Sequence, residues 1–133
     1  METIIFSEIR KHDLDWTPGL VGNWHEYTLV ETTNWYWSFE KNSGGIFVQR
    51  SKNRDDVRCY HGGKKRAYED RTEGRSSEVS FGENILDAVR WIINRDELSN
   101  TYHVFESNCH FFASLLYEAI TRTKGERRLS NTV

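Results

Sequence analysis

The stretch YHVFESNCHFFASLLYEAI, residues 102–120, sets the architecture of the chain. Its apolar residues recur at the three-to-four spacing of a helix with one buried face: Phe111, Phe112, Leu115, Leu116, Ala119 and Ile120. Ser107 and Asn108 are good N-cap residue types just before this pattern. We therefore expect the helix to begin beside them, with Cys109 in its first turn.

Residues 21–50 have the composition of strands. Three runs rich in aromatic and β-branched residues predict an antiparallel meander: Trp24–Val30, Asn34–Phe39 and Ile46–Arg50. A fourth strand is predicted at Val57–His61. A second amphipathic helix is predicted over residues 80–94, where Ser80 and Glu83 form a capping-box pattern. The predicted fold class is α+β, an antiparallel meander or small sheet packed against two main helices.

The remaining segments are polar. Residues 64–79 are mostly charged or small, and we interpret them as a long surface loop, with a lid or substrate-binding loop as the functional alternative. The tail, about residues 121–133, is polar and basic and is expected to be frayed. The whole chain, residues 1–133, is expected to be a single domain.

Composition narrows the functional classes. The net charge of −2 gives no electrostatic case for binding nucleic acid or an anionic membrane. No transmembrane segment or signal peptide is expected, because the chain has neither a long apolar run nor a basic start followed by one. Two cysteines without a secretion signal indicate reduced thiols and a cytoplasmic location, with no Cys59–Cys109 disulfide. No cofactor is implied, and the oligomeric state stays open.

Cys109 is the first candidate for chemistry. In the first turn of a helix, unpaired N–H groups and the helix dipole favour a thiolate over a thiol. The alternative is that Cys109 is a small buried hydrophobe, as many free cysteines are. A metal role is not expected, since Cys59 and His61 could begin a zinc site but nothing at ligand spacing completes it.

His25, on the first long strand, is the best candidate for a base that would serve Cys109. If Thr32 and Thr33 form a two-residue hairpin turn, the register places His25 directly opposite Glu40. A carboxylate there would hold the imidazole in one tautomer. The alternative is an exposed glutamate beside a half-buried histidine. The other histidines are less well placed as the base: His12, His61, His103 and His110.

Together these residues resemble a known group of proteins. A histidine on an early strand, then a sheet, then an Asn-Cys pair opening an apolar helix is the order of elements in circularly permuted papain-like proteins. Residues 107–112, Ser-Asn-Cys-His-Phe-Phe, with Tyr102 upstream, resemble the NC box of lecithin:retinol acyltransferase-like proteins. His25 corresponds to their H box. The resemblance covers roughly residues 21–120 in the order of elements, and close identity is confined to the NC box.

The resemblance implies a permuted papain-like arrangement and a cysteine-dependent hydrolase or acyltransferase. Cys109 would be the nucleophile and His25 the general base, and an acyl-cysteine would form on attack at an ester, amide or isopeptide carbonyl. The orienting residue would be Glu40, with Ser38 or Gln49 as alternatives.

Two positions depart from the family pattern. Trp37 stands where these acyltransferase-like proteins usually carry a second histidine, and His110-Phe111 stands where Glu-His is common.

Substrate-binding residues are predicted next to this pair. Trp24 and Tyr27 could line an apolar acyl site beside Asn108, although aromatic residues of a first hairpin are also common core residues. The acyl, lipid or protein substrate stays unidentified. The alternative function is a non-catalytic protein-interaction domain on the same fold, which presents its aromatic hairpin or its charged loop to a partner.

Overall fold

The computed structural model describes residues 2–13, 24–42, 44–66, 70–79, 83–94 and 105–121. Seven strands and three helices follow one another in these residues: β1 (Ile4–Asp13), β2 (Trp24–Thr32), β3 (Tyr36–Asn42), β4 (Gly45–Ser51), α1 (Arg54–Cys59), β5 (Tyr60–His61), β6 (Lys64–Lys65), β7 (Arg71–Glu78), α2 (Ile85–Asn94) and α3 (Phe105–Thr121).

Five strands form one antiparallel sheet in the order β4-β3-β2-β1-β7, while β5 and β6 form a separate small hairpin. The predicted α+β class and the antiparallel meander are confirmed. Among the described helices, none is long and apolar enough to cross a membrane. Cys59 and Cys109 are not joined in a disulfide.

The sheet carries a different layer on each face, because successive side chains of a strand point to opposite sides. On one side, which we call the helix face, Val30 and Phe39 pack in a core with Trp91 of α2 and with Phe112 and Leu116 of α3. This is the surface that the apolar stripe of α3 requires.

The opposite side of the sheet is the polar face. There a smaller cluster joins Tyr27 and Leu29 to Val57 of α1. Ionisable side chains occupy most of the rest of this face, beneath α1 and the β5–β6 hairpin.

The first hairpin turn lies one residue later than predicted. The backbone N–H of Thr32 donates to the carbonyl of Trp35 at 2.9 Å, so Thr33 and Asn34 form the turn. The strand pairing therefore shifts by two residues, and Thr28 lies opposite Phe39. An even shift keeps every side chain on its predicted face, whereas an odd one would have reversed them.

Two predictions between residues 54 and 79 are wrong. The predicted strand at Val57–His61 is mostly helix α1, which Asn53 caps by accepting a hydrogen bond from the Asp55 N–H at 3.0 Å. The predicted loop at residues 64–79 contains β6 and the long edge strand β7, which pairs with β1. The charged residues of this segment are compatible with a strand because an exposed edge strand tolerates the same residue types as a surface loop.

The starts of both long helices also differ from prediction. Helix α2 begins at Ile85, and its cap is Asn84, whose side chain accepts from the Asp87 N–H at 3.1 Å. Ser80, the predicted cap, lies outside the described residues. Helix α3 begins at Phe105, so Cys109 lies in its second turn and not in its first.

A matched pair of leucines tests this division between core and surface. Leu116 is fully buried, whereas Leu86 is 63% exposed on α2. We expect Leu116→Ala to lower the free energy of unfolding by about 2–5 kcal/mol and Leu86→Ala to change it by less than about 0.5 kcal/mol. Urea unfolding monitored by circular dichroism measures both. Equal losses in the two variants would contradict the assignment of the helix face.

Candidate functional site

Glu40 is the centre of a charged cluster on the polar face. Its side chain is buried and is contacted by three cationic or imidazole groups. The Nε2 atom of His25 lies 2.9 Å from Oε1, and Nδ1 of His61 lies 3.1 Å from Oε2. Arg66 donates from Nη2 to Oε2 at 2.9 Å and from Nη1 to Oε1 at 3.3 Å, which is a two-point guanidinium–carboxylate contact.

Arg66 connects the sheet to the layer above it. Besides Glu40, its guanidinium donates to the carbonyls of Val57 at 3.2 Å and Arg58 at 3.1 Å. The same group lies over the ring of Tyr27, 4.1 Å from its centroid. One side chain therefore fixes the position of α1 on strands β2 and β3.

A second buried carboxylate, Asp70, organises the neighbouring part of the polar face. It accepts hydrogen bonds from Arg10, from the Tyr27 hydroxyl at 2.5 Å and from Arg58 at 3.1 Å. Glu8 similarly lies 3.1 Å from the Arg10 guanidinium. These residues form a charge-paired layer, as buried ionised groups require.

The surroundings of Glu40 favour its charged form. Burial alone would raise its pKa, but hydrogen bonds from His25 and His61, together with the charge and hydrogen bonds of Arg66, hold the pKa well below its ordinary value. Burial likewise raises the pKa of the Tyr27 phenol, so Tyr27 acts as a hydrogen-bond donor to Asp70.

The predicted contact between His25 and Glu40 is therefore present, although the two residues do not lie directly opposite each other. With Thr28 opposite Phe39, the pair is related diagonally on one face of the sheet. Both side chains are buried. Their catalytic roles stay predictions.

Cys109 lies on the other side of the sheet. Helix α3 packs on the helix face, where Thr28 donates to the carbonyl of Ala113 at 3.1 Å, and Cys109 is fully buried on this helix. By strand alternation His25 points away from Thr28 and towards α1. The sheet thus separates the Cys109 thiol from the His25 imidazole, and their predicted pairing is not assembled.

The predicted substrate-binding residues are divided in the same way. Trp24 lies on the helix face, where its ring stacks on His110 with centroids 5.0 Å apart and its Nε1 donates to Glu26 at 2.8 Å. Tyr27 lies on the polar face and is buried. Asn108 belongs to the first turn of α3, but its side chain lies outside the described part of the chain, as does all of His103.

Sequence reasoning missed Arg66 and Asp70. Arg66 follows two exposed lysines in a run that resembles a solvated loop, and composition does not distinguish it from Lys64 and Lys65. A usable signal exists in β1, where Glu8, Arg10 and His12 occupy every second position and the buried Ile9 lies on the other face. That period of two indicates a polar layer above the sheet.

The described residues contain no group of three His, Cys, Asp or Glu side chains arranged to hold a metal ion. Comparisons of the chain with models of protein families, with curated proteins and with solved structures give no match.

Neutralising Glu40 tests the cluster. Glu40→Gln keeps the side-chain shape but leaves Arg66 buried without its counter-charge, so we expect the free energy of unfolding at pH 7 to fall by about 3–5 kcal/mol. Glu78→Gln, at an exposed position on β7, is the matched control, with an expected change below about 0.5 kcal/mol. Urea unfolding of both variants measures the difference.

The same variants give a pH-dependent prediction. The folded-state pKa of Glu40 is depressed, so the ionised carboxylate contributes to the free energy of unfolding at pH values above its unfolded-state pKa near 4.5. This stabilisation is lost as the pH falls towards the folded-state pKa. The wild-type protein should lose stability below about pH 4.5 more steeply than Glu40→Gln does. Parallel pH–stability curves for the two proteins would show that the Glu40 charge is not responsible.

Proposed function

We propose that this chain is a non-catalytic protein-interaction domain that binds an extended segment of a partner protein along the outer edge of β4. The observation that carries the proposal is the difference between the two edges of the five-stranded sheet. An unpaired edge offers backbone N–H and C=O groups to an added strand, and proteins that do not use such an edge protect it.

The β7 edge is protected. Thr72 of β7 pairs with Arg10 of β1, and Ser76 pairs with Glu8, so β7 has two extra residues between these pairs. Such a bulge bends the strand. Gly74, with φ of 115°, lies inside this bulge. Glu73 and Arg75 on either side form an ion pair at 2.5 Å. These features interrupt the regular row of hydrogen-bonding groups that an added strand needs.

The β4 edge has the opposite character. It runs for seven residues opposite β3, without a register shift. Its central residues Phe47 and Val48 are 39% and 45% exposed. Side chains of an added strand would cover them, since alternate residues of that strand would lie beside Val48 on the helix face and beside Phe47 on the polar face.

A groove adjoins this edge. A cavity of about 380 Å³ lies where the end of β4 meets α1 and the β5–β6 hairpin, and its lining includes Ser51, Val57 and Tyr60. Gln49 maintains its shape, because its side-chain amide donates to the carbonyls of Val57 at 3.3 Å and Tyr60 at 2.7 Å. The volume is within the range of ligand sites and can receive a side chain of the added strand.

The competing proposal is the thiol hydrolase or acyltransferase that the NC-box resemblance implies. That chemistry needs a nucleophile in hydrogen-bond reach of its base and open to substrate. Cys109 is fully buried, and His25 is hydrogen-bonded to Glu40 on the opposite face of the sheet. Attack on a carbonyl would also produce an oxyanion that needs N–H donors. In a helix that begins at Phe105, the Cys109 N–H already has an intrahelical acceptor and is not available for this role. This geometry supports the interaction domain better.

Alkylation of Cys109 distinguishes the two proposals. In a Cys59→Ala background, we expect iodoacetamide to modify Cys109 only as fast as the protein opens, because the thiol is buried. The rate should rise with sub-denaturing urea and should be independent of His25→Ala after correction for stability. Rapid alkylation of the folded protein, titrating below the free-thiol pKa and abolished by His25→Ala, would restore the thiol enzyme and exclude our proposal.

The edge itself is tested by selection of peptides from a random displayed library on the immobilised protein. Selected peptides should bind Val48→Lys at least about tenfold more weakly than wild type, because a charged side chain on an edge strand opposes strand addition. Leu86→Lys makes the same change at an exposed leucine of α2 and should leave affinity within about twofold. Fluorescence anisotropy gives the dissociation constants, and urea unfolding checks that both variants are folded.

Amide hydrogen exchange supplies a second readout, in which peptide binding should slow exchange within residues 45–51. No enriched peptide, or equal affinity for the wild type and Val48→Lys, would overturn the proposed edge.

A further inference from the structure

Two cations lie on one tryptophan at the end of the β4 edge. The guanidinium carbon of Arg50 is 4.3 Å from the Trp35 ring centroid, and the Lys52 ammonium nitrogen is 4.0 Å from it. Arg50 also lies 5.5 Å from the centroid of Trp37, and Lys52 donates to the carbonyl of Asn34 at 2.8 Å. Cation–π contacts hold both exposed side chains in place despite their mutual repulsion.

Most arginines of the described residues lie within salt-bridge distance of a carboxylate. They are Arg10, Arg54, Arg58, Arg66, Arg75 and Arg90. Within the described residues, neither Arg50 nor Lys52 forms an ion pair with a carboxylate. Two positioned positive charges without a counter-charge form a prepared site for an anionic group.

The wider surroundings of the edge are also basic. Residues 44–66 contain seven lysines and arginines against two aspartates, in a chain with a net charge of −2. Lys64 and Lys65 are exposed on the β5–β6 hairpin, which contacts the Phe47 and Gln49 side chains of β4. A second copy of this chain is a poor occupant of the edge, because pairing two β4 strands would bring two such basic segments together.

We propose that the partner segment is acidic, with apolar residues along Ile46–Val48 and a carboxylate-bearing residue on the Arg50–Lys52 pair held by Trp35. This inference rests on the proposed strand addition at β4 and adds the chemistry of the partner. The order of features along β4, apolar first and cationic last, requires acidic residues at one end of the added segment and apolar residues at the other.

The experiment uses short synthetic peptides of alternating valine and threonine that end in two glutamates or two glutamines. Each is made with the polar pair at either terminus, so that parallel and antiparallel addition are both covered. We expect the wild-type protein to bind one glutamate peptide about five- to tenfold more tightly than its glutamine counterpart at low salt. Because exposed charges are screened, the preference should disappear near 1 M salt.

Paired variants assign this preference to the two cations. The double variant Arg50→Gln/Lys52→Gln should bind both peptides equally, whereas Arg71→Gln/Arg90→Gln, with the same change in charge on β7 and α2, should keep the preference. Arg50→Lys preserves the charge and should retain most of it. Loss of the preference in the Arg71→Gln/Arg90→Gln control would show that net charge alone acts, and would overturn the assignment.

The outcomes of these binding measurements distinguish the acidic partner from strand addition itself. If Val48→Lys abolishes binding of glutamate and glutamine peptides that the wild type binds equally, strand addition stands and the acidic partner is excluded. If wild type binds neither peptide in either order, both are overturned. If a single-stranded oligonucleotide binds more tightly than the peptides and depends on Arg50 and Lys52, the partner is nucleic acid and the acidic segment is excluded.

Discussion

The ion pair between Glu40 and Arg66 is the contact on which the polar face depends. Arg66 reaches from the hairpin segment to a carboxylate on β3 and at the same time binds the Val57 carbonyl of α1. Helix α1 and the β5–β6 hairpin, which together cover the polar face, are thereby fixed on the sheet at one point. The groove beside β4 depends on this ion pair, because the position of α1 and the β5–β6 hairpin on the sheet sets the distance between Gln49 and Tyr60.

A buried charged layer is an expensive way to hold two layers together. Removing carboxylates and guanidinium groups from water costs free energy, and their mutual attraction recovers it only when the geometry and hydrogen bonds are good. Glu40 and Asp70 meet that condition, since each contacts three different side chains. Such a layer fixes α1 and the β5–β6 hairpin in a single position on the sheet. An apolar cover of similar area could slide along the sheet, whereas these paired charges match in only one arrangement.

The sequence predicts the parts of this structure that depend on periodicity. The meander and most of the apolar face of α3 follow from side-chain spacing, but Phe111, predicted on that face, is 64% exposed. The His25–Glu40 contact is present although the turn was predicted one residue too early, because a register shift of two residues keeps both side chains on the same face. Elements that depend on longer-range contacts were not predictable. The predicted strand at residues 57–61 contains Val57 and Tyr60, which favour strands, yet residues 57–59 belong to helix α1 on the polar face. Residues 71–78 form a strand by pairing with the edge of β1. Helix α3 begins a turn earlier than its cap residues indicate, which moves Cys109 away from the helix start.

The place of β1 inside the sheet affects how the chain assembles. Strands β1 to β4 follow one another in sequence and in space, so their pairing requires mostly local contacts that form early. During synthesis this four-stranded meander emerges with two open edges. The chain closes the β1 edge itself when residues 71–78 arrive, at the cost of a long loop closure. Within the described residues no strand pairs with the outer side of β4, so this edge stays open after the chain has closed the β1 edge with its own later strand.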